Sequence, residues 1–137
     1  MTPSALPSYA ELDPFDLPEW LGADEVVWVS ESATDSGHRV RGALTGDGHD
    51  PVPCDLLAVD DAYPAPVAAD AVRVRAHQVW QHGEVLVLRD GGRILVAFPG
   101  SRVQLETAVL ALRRLAAAVG ARPRSWSLRI GLEVWTS

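Results

Sequence analysis

The sequence contains no lysine, a single cysteine, a single methionine and no basic residue ahead of Arg39. Each scarcity excludes something. With Cys54 alone no internal disulfide can form, and a free cysteine is usually a small buried hydrophobe. Without a positively charged start, the chain lacks the opening of a secretory signal. The longest apolar runs are about five residues, far short of the ~20 that a membrane-spanning helix needs. The expectation is a cytoplasmic protein with no membrane contact. All 12 basic residues are arginine, which together with the Ala, Val and Gly content fits high-GC bacterial codon usage and carries no mechanistic weight.

Patterns that force a chemistry are also missing. His77 and His82 would stand about 140° apart on a helix, and His38 and His49 flank a strand that sets them roughly 23 Å apart. No spacing matches a zinc pattern, so neither metal nor cofactor is expected. Asp60 and Asp61 end a strand, where neighbours point to opposite faces, and they read as solvated turn carboxylates. Pro99-Gly100-Ser101-Arg102 sits at a strand-to-helix turn, a place whose free N–H groups favour anions. It lacks the glycines of a nucleophile elbow and the Gly-Lys-Ser/Thr of a phosphate loop, so Ser101 is expected to be a helix cap. No catalytic residue is assigned.

Charge is unevenly spread. The net charge is −6, which argues against nucleic-acid binding, because neutralising phosphates supplies most of that affinity. Residues 1–37 hold eight acids and no bases, whereas residues 100–137 hold six Arg against two Glu. That polarity suggests contact between an acidic start and a basic end, within one chain or between two.

What is present begins with Glu84 to Val119. Val85-Leu86-Val87-Leu88 and Ile94-Leu95-Val96-Ala97-Phe98 are apolar runs on either side of Asp90-Gly91-Gly92, which predicts a tight hairpin. Neither run alternates with polar residues, so both strands are expected to be covered on both faces. A helix follows, with Leu105, Ala108, Val109, Leu112, Leu115, Ala116 and Val119 on one stripe, Ser101 and Gln104 as a capping box and Gly120 as the stop.

Residues 1–24 form a proline-rich acidic segment that is expected to be extended, with Phe15, Leu17, Trp20 and Leu21 as apolar anchors. Residues 25–137 make a single domain with no internal repeat. Strands are predicted at Val26–Val29, Arg39–Thr45 and Cys54–Val59. Residues 70–82 support a helix through Val72, Ala76, Val79 and Trp80, while the alternation of Val72, Val74 and Ala76 with arginines leaves a strand open. Trp126, Leu128, Ile130, Leu132 and Val134 alternate with polar residues as a last strand with one wet face.

The order is βββ-α-ββ-α-β, an α+β domain with a mostly antiparallel sheet of about six strands and two helices. It partly resembles the α-βββ-α-ββ-α arrangement of secretion-chaperone-like proteins, and that resemblance implies a dimeric, acidic binder of protein partners.

The function expected is a non-enzymatic protein-interaction or regulatory module, a homodimer with a possible protein partner. Its motive is that two helices cover little more than one face of a six-stranded sheet. Candidate partner-binding residues are Phe15 and Trp20 in the acidic segment, the cluster Arg113, Arg114, Arg122 and Arg124, and Trp135, which breaks the alternation of the last strand. The alternative is a small-molecule-binding protein or small enzyme, with a pocket between helix 70–82 and the sheet lined by Tyr63, His77 and Trp80, where His77 could titrate near neutrality.

Overall fold

The turn at Gly91-Gly92 folds as its composition dictates: Gly91 takes a φ of 60°, open to glycine at no steric cost, and closes β5 (Leu86–Asp90) onto β6 (Arg93–Phe98). A computed structural model describes the chain over residues 9–33, 37–60 and 68–129. The other strands are β1 (Ala10–Glu11), β2 (Val26–Ala33), β3 (Arg39–Thr45), β4 (Val52–Ala58) and β7 (Trp126–Arg129). The helices are α1 (Trp20–Ala23), α2 (Asp70–Gln81) and α3 (Leu105–Ala118). Residues 70–81 are therefore helical, with Val72, Ala76 and Val79 buried, while Val74 on the competing period is half exposed.

One seven-stranded sheet runs in the order β1-β5-β6-β4-β3-β2-β7. It is mixed rather than mostly antiparallel: β4 pairs with β6, and β2 with β7, in parallel, while the other four neighbours are antiparallel. The reason is connectivity. Parallel neighbours need a crossover, and α2 and α3 each lie on such a connection. Among the described residues there are thus seven strands and three α-helices in an α+β layer arrangement.

The two long helices take opposite faces. On one, α3 packs Ala108, Ala111, Leu112, Leu115 and Ala116 into a core with Trp28, Leu44, Leu56, Val96 and Phe98. On the other, Val72, Ala76 and Val79 of α2 cover Leu57, Val59, Leu86, Leu88, Leu95 and Ala97. Alternate residues of β4, β5 and β6 go to opposite clusters, which is why their sequences are apolar on successive positions. The hairpin therefore needs no second subunit to cover it, and the burial argument for a dimer does not hold at these strands. What stays partly open is the α2 side of β2, β3 and β7, where Val27, Val29 and Thr45 are half-buried and Arg41, Ser127 and Arg129 are exposed.

Helix ends follow local chemistry. Gly120 (φ 85°) stops α3, with N–H bonds from Gly120 to the Ala117 carbonyl and from Ala121 to that of Ala116. The N-terminus is set differently from expectation. Gln104, not Ser101, is the cap residue: its N–H donates to Thr107 Oγ1 at 3.2 Å, and that hydroxyl donates back to the Gln104 carbonyl at 2.9 Å. Ser101 is exposed in the turn before it.

The described part of the acidic segment, residues 9–24, is laid onto the domain. β1 pairs with β5, the Leu12 N–H donates to the Val87 carbonyl at 2.8 Å, and Leu12, Leu17 and Leu21 enter the α3 core. Trp126 Nε1 donates to the Leu21 carbonyl at 2.9 Å, joining the start of the chain to its last described strand.

Candidate functional site

The residues singled out by sequence do not gather in one place. Phe15 sits in a 3₁₀ turn at Pro14–Asp16, fixed by the Asp13 carboxylate, which accepts the Phe15 N–H at 3.0 Å. The ring is 82% exposed, whereas the neighbouring Leu12 and Leu17 are buried. Trp20 is turned inward: it stacks on His49 with centroids 4.5 Å apart and planes 3° from parallel. His49 Nε2 in turn lies 2.7 Å from Asp24 Oδ2. Trp135 and Tyr63 lie outside the described residues.

The arginine cluster divides. The Arg114 guanidinium lies 3.8 Å over the Trp80 ring and donates to the Trp80 and Glu84 carbonyls at 2.8 and 3.1 Å, closing the C-terminal end of α2 from α3. Arg113 and Arg124 instead line a groove of about 460 Å³ with Val109, Leu112, Trp126 and Leu128. Arg122 is exposed just before Pro123.

His77 and Trp80 meet different neighbours. Trp80 packs on Phe98, with centroids 5.9 Å apart, against the α3 core. Between α2 and the sheet, Val72, Ala76 and Val79 make apolar contacts, and a cavity of about 140 Å³ remains, lined by Ala71, Val72, Arg75, Leu86 and Leu88.

His77 reaches a different partner. Its Nε2 lies 2.6 Å from Asp60 Oδ1, and the Gly100 N–H donates to Asp60 Oδ2 at 2.8 Å. The backbone closes the same contact, with the Asp60 N–H on the Gly100 carbonyl at 2.9 Å. Asp60 is thus not a freely solvated turn carboxylate. Burial pushes its pKa up, but the hydrogen bonds from His77 and Gly100 prevail and hold it below the usual value. The Gly100 N–H, in a turn whose free N–H groups would favour an anion, is already committed. This pair stands where the parallel strands β4 and β6 end and their chains leave toward opposite faces, a position that opens crevices in α/β sheets.

The sequence reading missed the buried charge network. Asp55 is fully buried within β4. Arg39 donates to its Oδ2 from Nη2 at 2.7 Å, Arg93 to its Oδ1 from Nη2 at 2.6 Å, and the Gly42 N–H to Oδ1 at 3.3 Å. Arg39 also reaches Asp90 Oδ2 at 3.0 Å, and Arg93 the Gly42 carbonyl at 3.1 Å. Burial lowers the pKa of Arg39, but its bonds to Asp55 and Asp90 outweigh that and leave it raised; for Arg93 the bond to Asp55 is the leading cause of the same direction. With its carboxylates and guanidiniums matched, the network joins β3, β4, β5 and β6 and offers no spare charge to a ligand. Beside it, burial and then Asp55 push the Cys54 thiol far up, which keeps it un-ionised and unreactive.

A further concavity lies beside Phe15. This groove of about 730 Å³ is walled by Glu11, Arg75, Val79, Val85, Arg114 and Ala117, with the exposed ring at its rim. Arg75 Nε is held by Glu11 at 3.1 Å. Compared with protein-family models, curated proteins and solved structures, the chain matches none.

Proposed function

We propose that the protein is a non-enzymatic protein-interaction module that works as a homodimer through the patch around Phe15. The observation that carries this reading is the exposure of Phe15 on a fixed turn beside a groove of mixed apolar and charged lining. Among the described residues of this segment Leu12, Leu17 and Leu21 are all buried while Phe15 is left in water, and rigid aromatics of this kind dominate binding energy at interfaces. The patch carries a knob and a hole side by side, and both charge signs, in Glu11, Glu84, Arg75 and Arg114. Such a surface is complementary to a copy of itself turned by a two-fold axis, so that each Phe15 enters the partner's groove. From α1 to α3 the element order is α-βββ-α-ββ-α, the arrangement of the dimeric secretion-chaperone-like proteins, which agrees with this reading on order alone.

The test is the dilution dependence of hydrodynamic size for the wild type and for Phe15→Glu. Two rings are lost per dimer, each worth about 2 kcal/mol, so the dissociation constant rises roughly a thousandfold in the variant. Equal sizes at every dilution contradict the reading.

The short Asp60–His77 contact favours a second one, a small-molecule-binding protein or small enzyme in which Asp60 orients His77 as an acid or base. A thermal-shift screen across metabolite classes tests it. A compound that raises the melting temperature of the wild type but not of His77→Ala supports this alternative, and no hit removes it.

A further inference from the structure

The groove between α3 and β7 shares no lining residue with the groove beside Phe15 and combines a strand edge, an apolar floor and two arginines. β7 is the last strand of the sheet, and among the described residues it pairs only with β2. Its outer N–H and C=O groups therefore face away from the sheet along roughly 13 Å of edge, at ~3.3 Å per residue. Natural sheets usually blunt such an edge, and an unblunted one is a template for strand addition. Beside it runs the groove, with Val109, Leu112, Trp126 and Leu128 as an apolar floor. Arg113 from α3 and Arg124 from the turn before β7 stand at its mouth, and among the described residues neither meets a carboxylate.

We infer that this groove docks an extended acidic peptide segment of a protein partner, added alongside β7, with aliphatic side chains on the floor and carboxylates on Arg113 and Arg124. Extended shape follows from the strand edge. Acidity follows from two unpaired guanidiniums, whose planar forks suit carboxylates. Aliphatic content follows from the floor. Since successive strand side chains alternate, the groove-facing positions are every second residue, and acids flanking an aliphatic at that spacing match the site. The inference rests on the reading of the chain as an interaction module and names the chemistry of its partner.

The experiment is a titration of the full-length, isotope-labelled protein with a blocked Glu-Thr-Leu-Thr-Glu peptide, followed by amide chemical shifts. Saturable shifts at Ser127, Leu128, Arg129, Val109 and Arg113 are expected, with binding roughly tenfold weaker in Arg113→Ala or Arg124→Ala. Binding weakens with added salt and is unchanged in Arg89→Ala, near the opposite edge of the sheet. Both groove arginines are exposed, so the variants retain the fold, which their amide dispersion verifies. Absence of shifts, equal binding of a Lys-Thr-Leu-Thr-Lys peptide, or shifts confined to the Phe15 groove overturns the inference. Repeating the titration on Phe15→Glu separates it from the dimer. Peptide binding by a wild type that is itself monomeric sustains this surface while the dimer reading falls, and a wild-type dimer that ignores the peptide does the reverse.

Discussion

His77 Nε2 lies 2.6 Å from Asp60 Oδ1, tying the middle of α2 to the point where β4 leaves the sheet. Since the folded pKa of Asp60 is depressed, its contribution to stability is fully present above the unfolded value and is lost as pH falls through the folded one. The window of loss thus begins near pH ~4 and runs below it. Asp60→Asn is expected to cost about 1 kcal/mol at neutral pH and to flatten the acid limb of the profile, as read by urea unfolding across the acid range.

A larger loss is expected from Asp55. Replacing it with alanine strips Arg39 and Arg93 of their buried carboxylate and leaves two partly buried guanidiniums facing each other. Removing one partner of such a network typically costs about 3–5 kcal/mol. Chemical denaturation of Asp55→Ala measures it, and a loss within the noise would mean that water replaces the carboxylate without penalty.

Gly42 is fixed by its neighbour rather than by its backbone angles. A Cβ there would lie 2.5 Å from the Trp28 ring, whose Nε1 donates to the Cys54 carbonyl at 2.8 Å in the core. Gly42→Ala has to displace that indole, at a cost of about 1–3 kcal/mol. Thermal unfolding reads the loss, and a shift in tryptophan emission reports the displaced ring.

Much of the fold was legible from local pattern, and most of the site was not. The hairpin, the stripe of α3 and the stop at Gly120 depend on residues a few positions apart, so sequence spacing shows them directly. At residues 70–81 two periods competed, and burial of Val79 with exposure of Val74 shows that the helical one won. Which face each helix takes depends on crossover connections, which spacing does not encode, and so the sheet's parallel pairs were missed, as was the fact that the two helices themselves supply the cover expected on both faces of the hairpin. Asp55 stood in an apolar run as a lone interruption because its partners, Arg39 and Arg93, are 16 and 38 residues away. Asp60 was read from sequence as a solvated turn carboxylate beside Asp61, whereas it has a partner from the next helix. Among the interface candidates, Phe15 stands out in water, while Trp20 and Arg114 are spent on His49 and Trp80.

The most direct test of the account is sedimentation velocity of the full chain, wild type beside Phe15→Glu, over a wide concentration range. The account predicts a wild-type species at twice the chain mass of 14.7 kDa that dissociates on dilution, and a variant that stays at the single mass while keeping a cooperative unfolding transition. A wild type that sediments as a monomer at every concentration, indistinguishable from the variant, would contradict it.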